Sequence, residues 1–258
     1  MIQLRSRAEI EKMREAGRIV SHILQTVGRM AEPGVTTGEL EDTASRMICE
    51  HGGMSPFLGY EPHGHPPFPA YTCVSVNEEI VHGVPGPRKL RDGDIVTVDC
   101  GVELDGWIAD SAWTYGVGKV SAQTDRLLKV TREALHRGIA QARAGNRVGD
   151  IGYAVQKYVE SHGFSVVREL TGHGVGRELH EELQIPHYGS RGKGVVLQTG
   201  MTFAIEPMIN AGRKDIKYQE DRWTISTADK KLSAHFEHTV AITPDGAEIL
   251  TAPDPEIR

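Results

Sequence analysis

The sequence predicts an α+β fold made of two related halves, on the strength of three observations. Leu90-x-x-Gly93 precedes Asp99 by the spacing that sets Leu197-x-x-Gly200 before Glu206. Gly34-x-x-x-Gly38 precedes His51-Gly52 by the spacing that sets Gly145-x-x-x-Gly149 before His162-Gly163. The two offsets, 107 and 111 residues, are nearly equal, and the pairs come in the same order. Either pair alone is as readily chance as kinship; together they favour an old duplication. Each half then reads helix, helix, and strands that end in an acid, with a site between the halves.

Ser6-x-x-Glu9 is a capping box. Behind it Ile10, Met13, Gly17, Val20, Leu24 and Val27 recur in steps of three and four, one face of an amphipathic helix. Thr36-x-x-Glu39 opens a second helix carrying Leu40, Ala44, Met47 and Ile48, and Gly52-Gly53 ends it. Residues 57–70 hold four prolines and two glycines and read as loop. Residues 72–85 and 94–118 read as strands, the second folding back at Asp105-Gly106, a two-residue hairpin signal. Helices follow at 122–143 and 149–161, then a loop rich in histidine and glycine at 171–194, then strands from 201 to 250.

A chain of 258 residues buries roughly three quarters of its unfolded surface and needs no disulfide or structural metal, so any metal is expected to be functional. The net charge of −6 argues against a general nucleic-acid field and against specific DNA binding. Cys49, Cys73 and Cys100 are odd in number, widely spaced and without a CxxC pair, which favours a reducing compartment. The charged N-terminal stretch is no secretory signal, and no apolar run reaches the roughly 18 residues a membrane span needs. The expected address is the cytoplasm, and with no exposed apolar repeat the expected state is a monomer.

The hairpin sets the chemistry. If Asp105-Gly106 is the turn, opposed residues sum to 211, Asp99 faces Ala112, and Asp110 lies two residues along on the same face. The two acids are then diagonal neighbours with backbones roughly 7–8 Å apart. Two carboxylates on an apolar-flanked face cannot cheaply stay charged without a cation. Glu206 in MTFAIEPMI and Glu237 in SAHFEHTVAI read as further strand acids, and His173 in TGHGVG is left sterically open by its glycines. Two Asp, two Glu and one His are an inventory for two divalent metals roughly 3.5–4 Å apart. Oxygen-rich ligation suits Mn, Fe(II) or Co better than a structural zinc. Taken alone, His173, His82 and His180 are each as well read as packed loop histidines. For His63 and His65, in the proline-rich loop, a surface role outweighs metal binding. His22, His136 and His162 read as solvated. There is no HExxH and no phosphate-binding loop, and Gly172-x-Gly174-x-Gly176 is a poor dinucleotide motif.

The ordered series His82-Gly83, Asp99, Asp110, Thr171-Gly172-His173-Gly174-Val175-Gly176, His180-Glu181, Glu206-Pro207 and Glu237-His238 resembles the type I methionine aminopeptidases of peptidase family M24. The resemblance spans roughly residues 5 to 250. It implies the pita-bread fold, two pseudo-symmetric halves with a central antiparallel sheet and helices on the outer face. It also implies one catalytic domain over 1–258, with its internal repeat at roughly 6–120 and 121–250. Asp99 is then a ligand of one metal, Asp110 and Glu237 bridge, and His173 and Glu206 bind the other, with Glu206 also the general base. His82 and His180 contact substrate. Tyr60, Cys73, Leu179, Phe203 and Trp223 wall the methionine pocket, with Phe57 at its rim where several relatives have cysteine. Asn77 and Ser233 stand where the family holds a monovalent cation. The loop from Glu61 to Ala70 is longer and richer in proline than in the shortest members.

The implied activity is removal of the initiator methionine from nascent chains, mainly before a small second residue. The divalent metal is left open among Co, Mn, Fe(II), Zn and Ni. A ribosomal contact near the exit tunnel follows from such a substrate, and Arg191, Lys193, Arg213, Lys214, Lys217, Lys230 and Lys231 could form a basic rim for it. Scattered solvated lysines are the simpler reading. Two other functions stay open: a prolidase-like enzyme on the same fold, and a binding protein that has lost catalysis.

Overall fold

Local sequence fixes where the helices start. The computed structural model describes residues 2–62 and 64–253. Helix α1 runs Arg7–Met30, and Ser6 and Glu9 cap it reciprocally, the Glu9 carboxylate accepting the Ser6 N–H at 2.8 Å. Helix α2, Thr37–Glu50, repeats the device with Thr36 and Glu39. Strands β1 (Thr72–Val76), β2 (Glu79–Val81), β3 (Ile95–Leu104) and β4 (Trp107–Gly116) follow. Asp105 and Gly106 both have positive φ, 50° and 72°, as a tight hairpin turn of matching twist requires.

The second half opens with α3 (Ala122–Gln141), capped by Ser121, and α4 (Val148–Ser161). It continues through β5 (Ser165–Val166), β6 (Gly172–Gly174), β7 (Glu181–Ile185), β8 (Thr202–Ile205) and β9 (Met208–Asn210). It ends with β10 (Ile216–Tyr218), β11 (Ile225–Thr227), β12 (Ser233–His235), β13 (His238–Thr243) and β14 (Gly246–Ile249). Among the described residues the strands pair antiparallel in four groups, β1-β3-β4, β10-β11-β2, β12-β9-β5 and β14-β13-β8-β6-β7. One core packs α1 and α2 against β1 and β3; the other packs α3 and α4 against the strands of the second half. None of the described helices is long and apolar enough to cross a membrane.

The repeated motifs do the same local work twice. Gly34 N–H donates to Leu90 O at 2.8 Å, and Gly145 N–H to Leu197 O at 2.9 Å. Gly93 and Gly200 turn the chain at φ 90° and 94°. His51 and His162 each donate through Nδ1 to the carbonyl four residues back, both at 2.8 Å. His162 is therefore a helix-end bond and not a solvated side chain. His22 is half-buried, edge-on to His51, while His136 is exposed as expected.

Three expectations about elements need correction. The stretch 171–194 is not all loop, since β6 and β7 lie within it. Its glycines permit close packing: a Cβ on Gly172 would come within 2.4 Å of Ala204 O. Asp99 lies inside β3, whereas Glu206 follows the end of β8, where Pro207 has no N–H to continue a ladder. Glu237 falls in the break between β12 and β13, and its N–H donates instead to Ala112 O on β4 at 2.9 Å.

Candidate metal centre

Hydroxyls of β4 stitch the two halves together beside this break. Thr114 Oγ1 donates to His235 O, Ser111 Oγ to Glu237 O, and Thr239 Oγ1 accepts the Asp110 N–H at 3.0 Å. A cavity of about 370 Å³ opens alongside. Asp99, Asp110, His173, Glu206 and Glu237 line it, with His82 and His180. The observed register pairs Asp99 with Ala112 and Gly101 with Asp110, so both aspartates share a face. Thr239 Oγ1 also reaches Asp110 Oδ1, at 3.0 Å. Ligand atoms of Asp110, His173 and Glu237 all lie within 4.8 Å of one another.

These residues fit a divalent metal on chemical grounds. His173 Nδ1 donates to Gly174 O at 3.0 Å, because a carbonyl can only accept, so the neutral ring presents a lone pair at Nε2. That lone pair faces Asp110 Oδ2 at 3.4 Å and Glu206 Oε1 at 3.6 Å. Burial lowers the His173 pKa to about 4, so the ring itself brings no proton to Nε2 near neutral pH. A lone pair and two buried carboxyl groups this close need a metal ion among them, or protons on the acids when no metal is bound. Asp99 Oδ1 is buried with no hydrogen-bond partner, which is the same demand. Burial, then neighbouring carboxylates, holds Asp99, Glu206 and Glu237 well above the usual carboxylate range, and burial raises Asp110 to about 6. Oxygen-rich donors with one imidazole suit Mn, Fe(II) or Co.

The apolar part of the cavity is walled by Phe57, Tyr60, Cys73, Leu179 and Trp223. Phe203 is not among its walls. It is fully buried in the helix-side core, because side chains alternate along β8 and the Glu206 side chain projects to the opposite face. Around Trp223 stand Phe68, edge-on with centroids at 5.1 Å, His65 at 5.2 Å and His82 at 6.3 Å. His82 has φ 58°, a conformation uncommon for a side chain other than glycine, and burial lowers its pKa to about 4. His180 Nδ1 pairs with Tyr60 OH at 2.9 Å.

Asn77 and Ser233 are brought together, Ser233 N–H donating to Asn77 O at 2.9 Å. The Asn77 side chain is engaged by Asp94 and Ile95, and Ser233 Oγ donates to Asn210 Oδ1. Among the basic residues, the Arg191 guanidinium lies over the Tyr153 ring at 5.2 Å, and the Asp229 carboxylate accepts the backbone N–H groups of Arg213 and Lys231.

Sequence reasoning missed three histidines here. His65, half-buried on its loop, also lines the cavity, while His63 lies outside the described residues. His187 accepts the Glu206 N–H through Nε2 at 3.0 Å. His235, 1% exposed, has both ring nitrogens buried without a partner. Its setting among the apolar residues SAHFEH was the one signal available, since an isolated buried imidazole needs a reason.

The model of metallopeptidase family M24 matches residues 11–244. The chain is 49% identical to methionine aminopeptidase B of Synechocystis, over 96% of this chain and 91% of that one. It is 49% identical to methionine aminopeptidase 1 of Bacillus subtilis, over 97% and 99%. The solved methionine aminopeptidase of Rickettsia prowazekii superposes with a TM-score of 0.94 at 43% identity, covering 98% of this chain and 100% of that one. A prolidase from Pyrococcus furiosus shares the fold at TM-score 0.78 and 22% identity, with the chain spanning 66% of its length.

Proposed function

This chain belongs to metallopeptidase family M24, is a metal-dependent aminopeptidase that removes N-terminal methionine, and, we propose, does so with the residues gathered around its cavity. The observation that carries the residue assignment is the His173 lone pair aimed at two buried carboxylates. Asp99, Asp110, His173, Glu206 and Glu237 would hold two divalent ions, which when bound supply Lewis-acid polarisation and make water acidic near neutral pH.

The chain's own residues supply the rest. Glu206 takes a proton from the attacking water and later returns it to the leaving amine. His180, its Nδ1 held by Tyr60, turns Nε2–H toward the carbonyl oxygen and stabilises the developing oxyanion. His82 contacts the scissile amide nitrogen. Phe57, Tyr60, Cys73, Leu179 and Trp223 enclose the unbranched first side chain, with Tyr and Trp rings placed for thioether contact. A small second residue fits best on this reading.

The chain works as one catalytic domain over 1–258, with a repeat at roughly 6–120 and 121–250. A cytoplasmic monomer that meets nascent chains at the ribosome is the setting we favour, supported by three free cysteines. A monovalent cation would sit on the Asn77 carbonyl beside Ser233. Reversing Lys214 and Lys217 tests the ribosome contact, which unaffected co-sedimentation would remove.

The primary test is release of free methionine from Met-Ala-Ser after adding Mn or Co to metal-stripped protein, with Ala-Pro alongside. Metal-dependent methionine release with Ala-Pro intact supports the assignment. Cleavage of Ala-Pro alone would overturn it in favour of dipeptidase action.

A further inference from the structure

The loop after Tyr60 contributes Pro62, His65 and Phe68 to the cavity lining and is tied to Arg222, beside Trp223. Its base is closed by Gly59 N–H to Phe68 O at 2.8 Å and Phe68 N–H to Tyr60 O at 2.9 Å. Tyr60 and Phe68, both cavity walls, are thereby held across from each other. Near its tip His65 N–H donates to Pro62 O at 3.0 Å, and His65 Nδ1 donates to Arg222 O at 2.8 Å. The Arg222 guanidinium returns a bond to Gly64 O. Two bonds in opposite directions therefore join residues 64–65 to residue 222, beside Trp223. Arg222 holds its carbonyl there at φ 67°, a left-handed conformation uncommon for a non-glycine residue.

We propose that His65 is a specificity-determining wall of the first-residue pocket, held by Arg222 so that it limits the length of side chain the cavity accepts. The proposal rests on the reading that this cavity takes methionine. The ring stands 5.2 Å from Trp223 and lines the cavity, and prolines at 62, 66 and 67 stiffen the chain that carries it. With Nδ1–H given to Arg222 O, the ring is fixed in orientation beside Trp223 and turns its remaining surface to the cavity. An unbranched thioether packs against such a surface, but one more methylene must displace it.

The test compares Met-Ala-Ser with ethionine-Ala-Ser, whose first side chain is one methylene longer, on the metal-loaded enzyme. His65→Ala should raise kcat/KM for the ethionine peptide relative to methionine about tenfold, within the range one methylene can carry. The change should appear in KM and not kcat. Arg222→Ala, which removes only the bond to Gly64, should move the ratio the same way and less. A ratio within twofold of wild type in His65→Ala overturns the proposal even if the protein unfolds no more readily. Failure of the wild type to release methionine at all would sink the functional reading beneath it, a separate result.

Discussion

His235 Nε2 lies 3.6 Å from Glu206 Oε2 and 4.0 Å from Glu237 Oε2. Its backbone is fixed by Thr114, which accepts its N–H at 3.0 Å and donates to its carbonyl at 2.6 Å. A buried imidazole so held, with no other partner, is placed to steady the two glutamates from behind. His235→Ala should weaken Mn or Co binding to stripped protein about 10–100-fold, the usual effect of losing an outer partner of a ligand. His235→Gln, which keeps an N–H donor, should recover most of it. Unchanged affinity by titration calorimetry in the alanine variant would reduce His235 to a space-filler.

Glu206→Gln keeps the size of the side chain and one oxygen donor but cannot carry a proton. Turnover of Met-Ala-Ser should fall about 10²–10⁴-fold, the range for a positioned acid–base group. Circular dichroism should be unchanged. Near-wild-type turnover at full metal loading would remove Glu206 from the proton shuttle.

Metal removal should leave a stability that falls with alkaline pH. Burial first, then neighbouring carboxylates, holds Asp99, Glu206 and Glu237 protonated in the fold where the unfolded chain has released those protons. The folded state binds more protons, so stability declines as pH rises. Six histidines act the other way. His82, His173 and His180 are lowered to about 4, and His187, His235 and His238 to about 3, each from 6.5. Their contribution grows with pH and is complete above 6.5. Above about 6.5 the carboxylate slope is left uncompensated by the histidines. Urea midpoints of stripped protein should drop as pH rises through that range, and added Mn should abolish the drop. A flat profile without metal would contradict the clustered acids.

Local signals were legible in the sequence, and signals that need the other half were not. The two capping boxes and the Asp105-Gly106 turn are complete within four residues, and the turn alone puts Asp99 and Asp110 on one face. Glu206 and Glu237 were found as costly acids, but their place in strand breaks depends on Pro207 and on Ala112 from β4. Phe203 was misplaced because the face of β8 is set by which side α3 and α4 cover. Phe203→Leu therefore tests the correction. It should cost about 1 kcal/mol in unfolding, as a near-conservative core change does, and leave KM for Met-Ala-Ser within about twofold.

An oxyanion-stabilising His180 needs one tautomer, and the Tyr60 contact can supply it, which makes Tyr60 more than a pocket wall. For His180 to donate through Nε2, its Nδ1 must be the acceptor, so the 2.9 Å contact requires Tyr60 to donate its hydroxyl proton. Burial raises the Tyr60 pKa, so the proton is retained across the working range. Burial also lowers His180 to about 4, so the ring is neutral and its tautomer matters. Tyr60→Phe keeps the ring against the first side chain but frees His180 to adopt either tautomer and to turn. The lost hydrogen bond, worth about 1 kcal/mol, should lower kcat about five- to tenfold. KM should change little, because the apolar wall remains. A KM effect without a kcat effect would return Tyr60 to the wall alone and leave His180 oriented by its tilted ring contact with His173, whose centroid is 4.3 Å away.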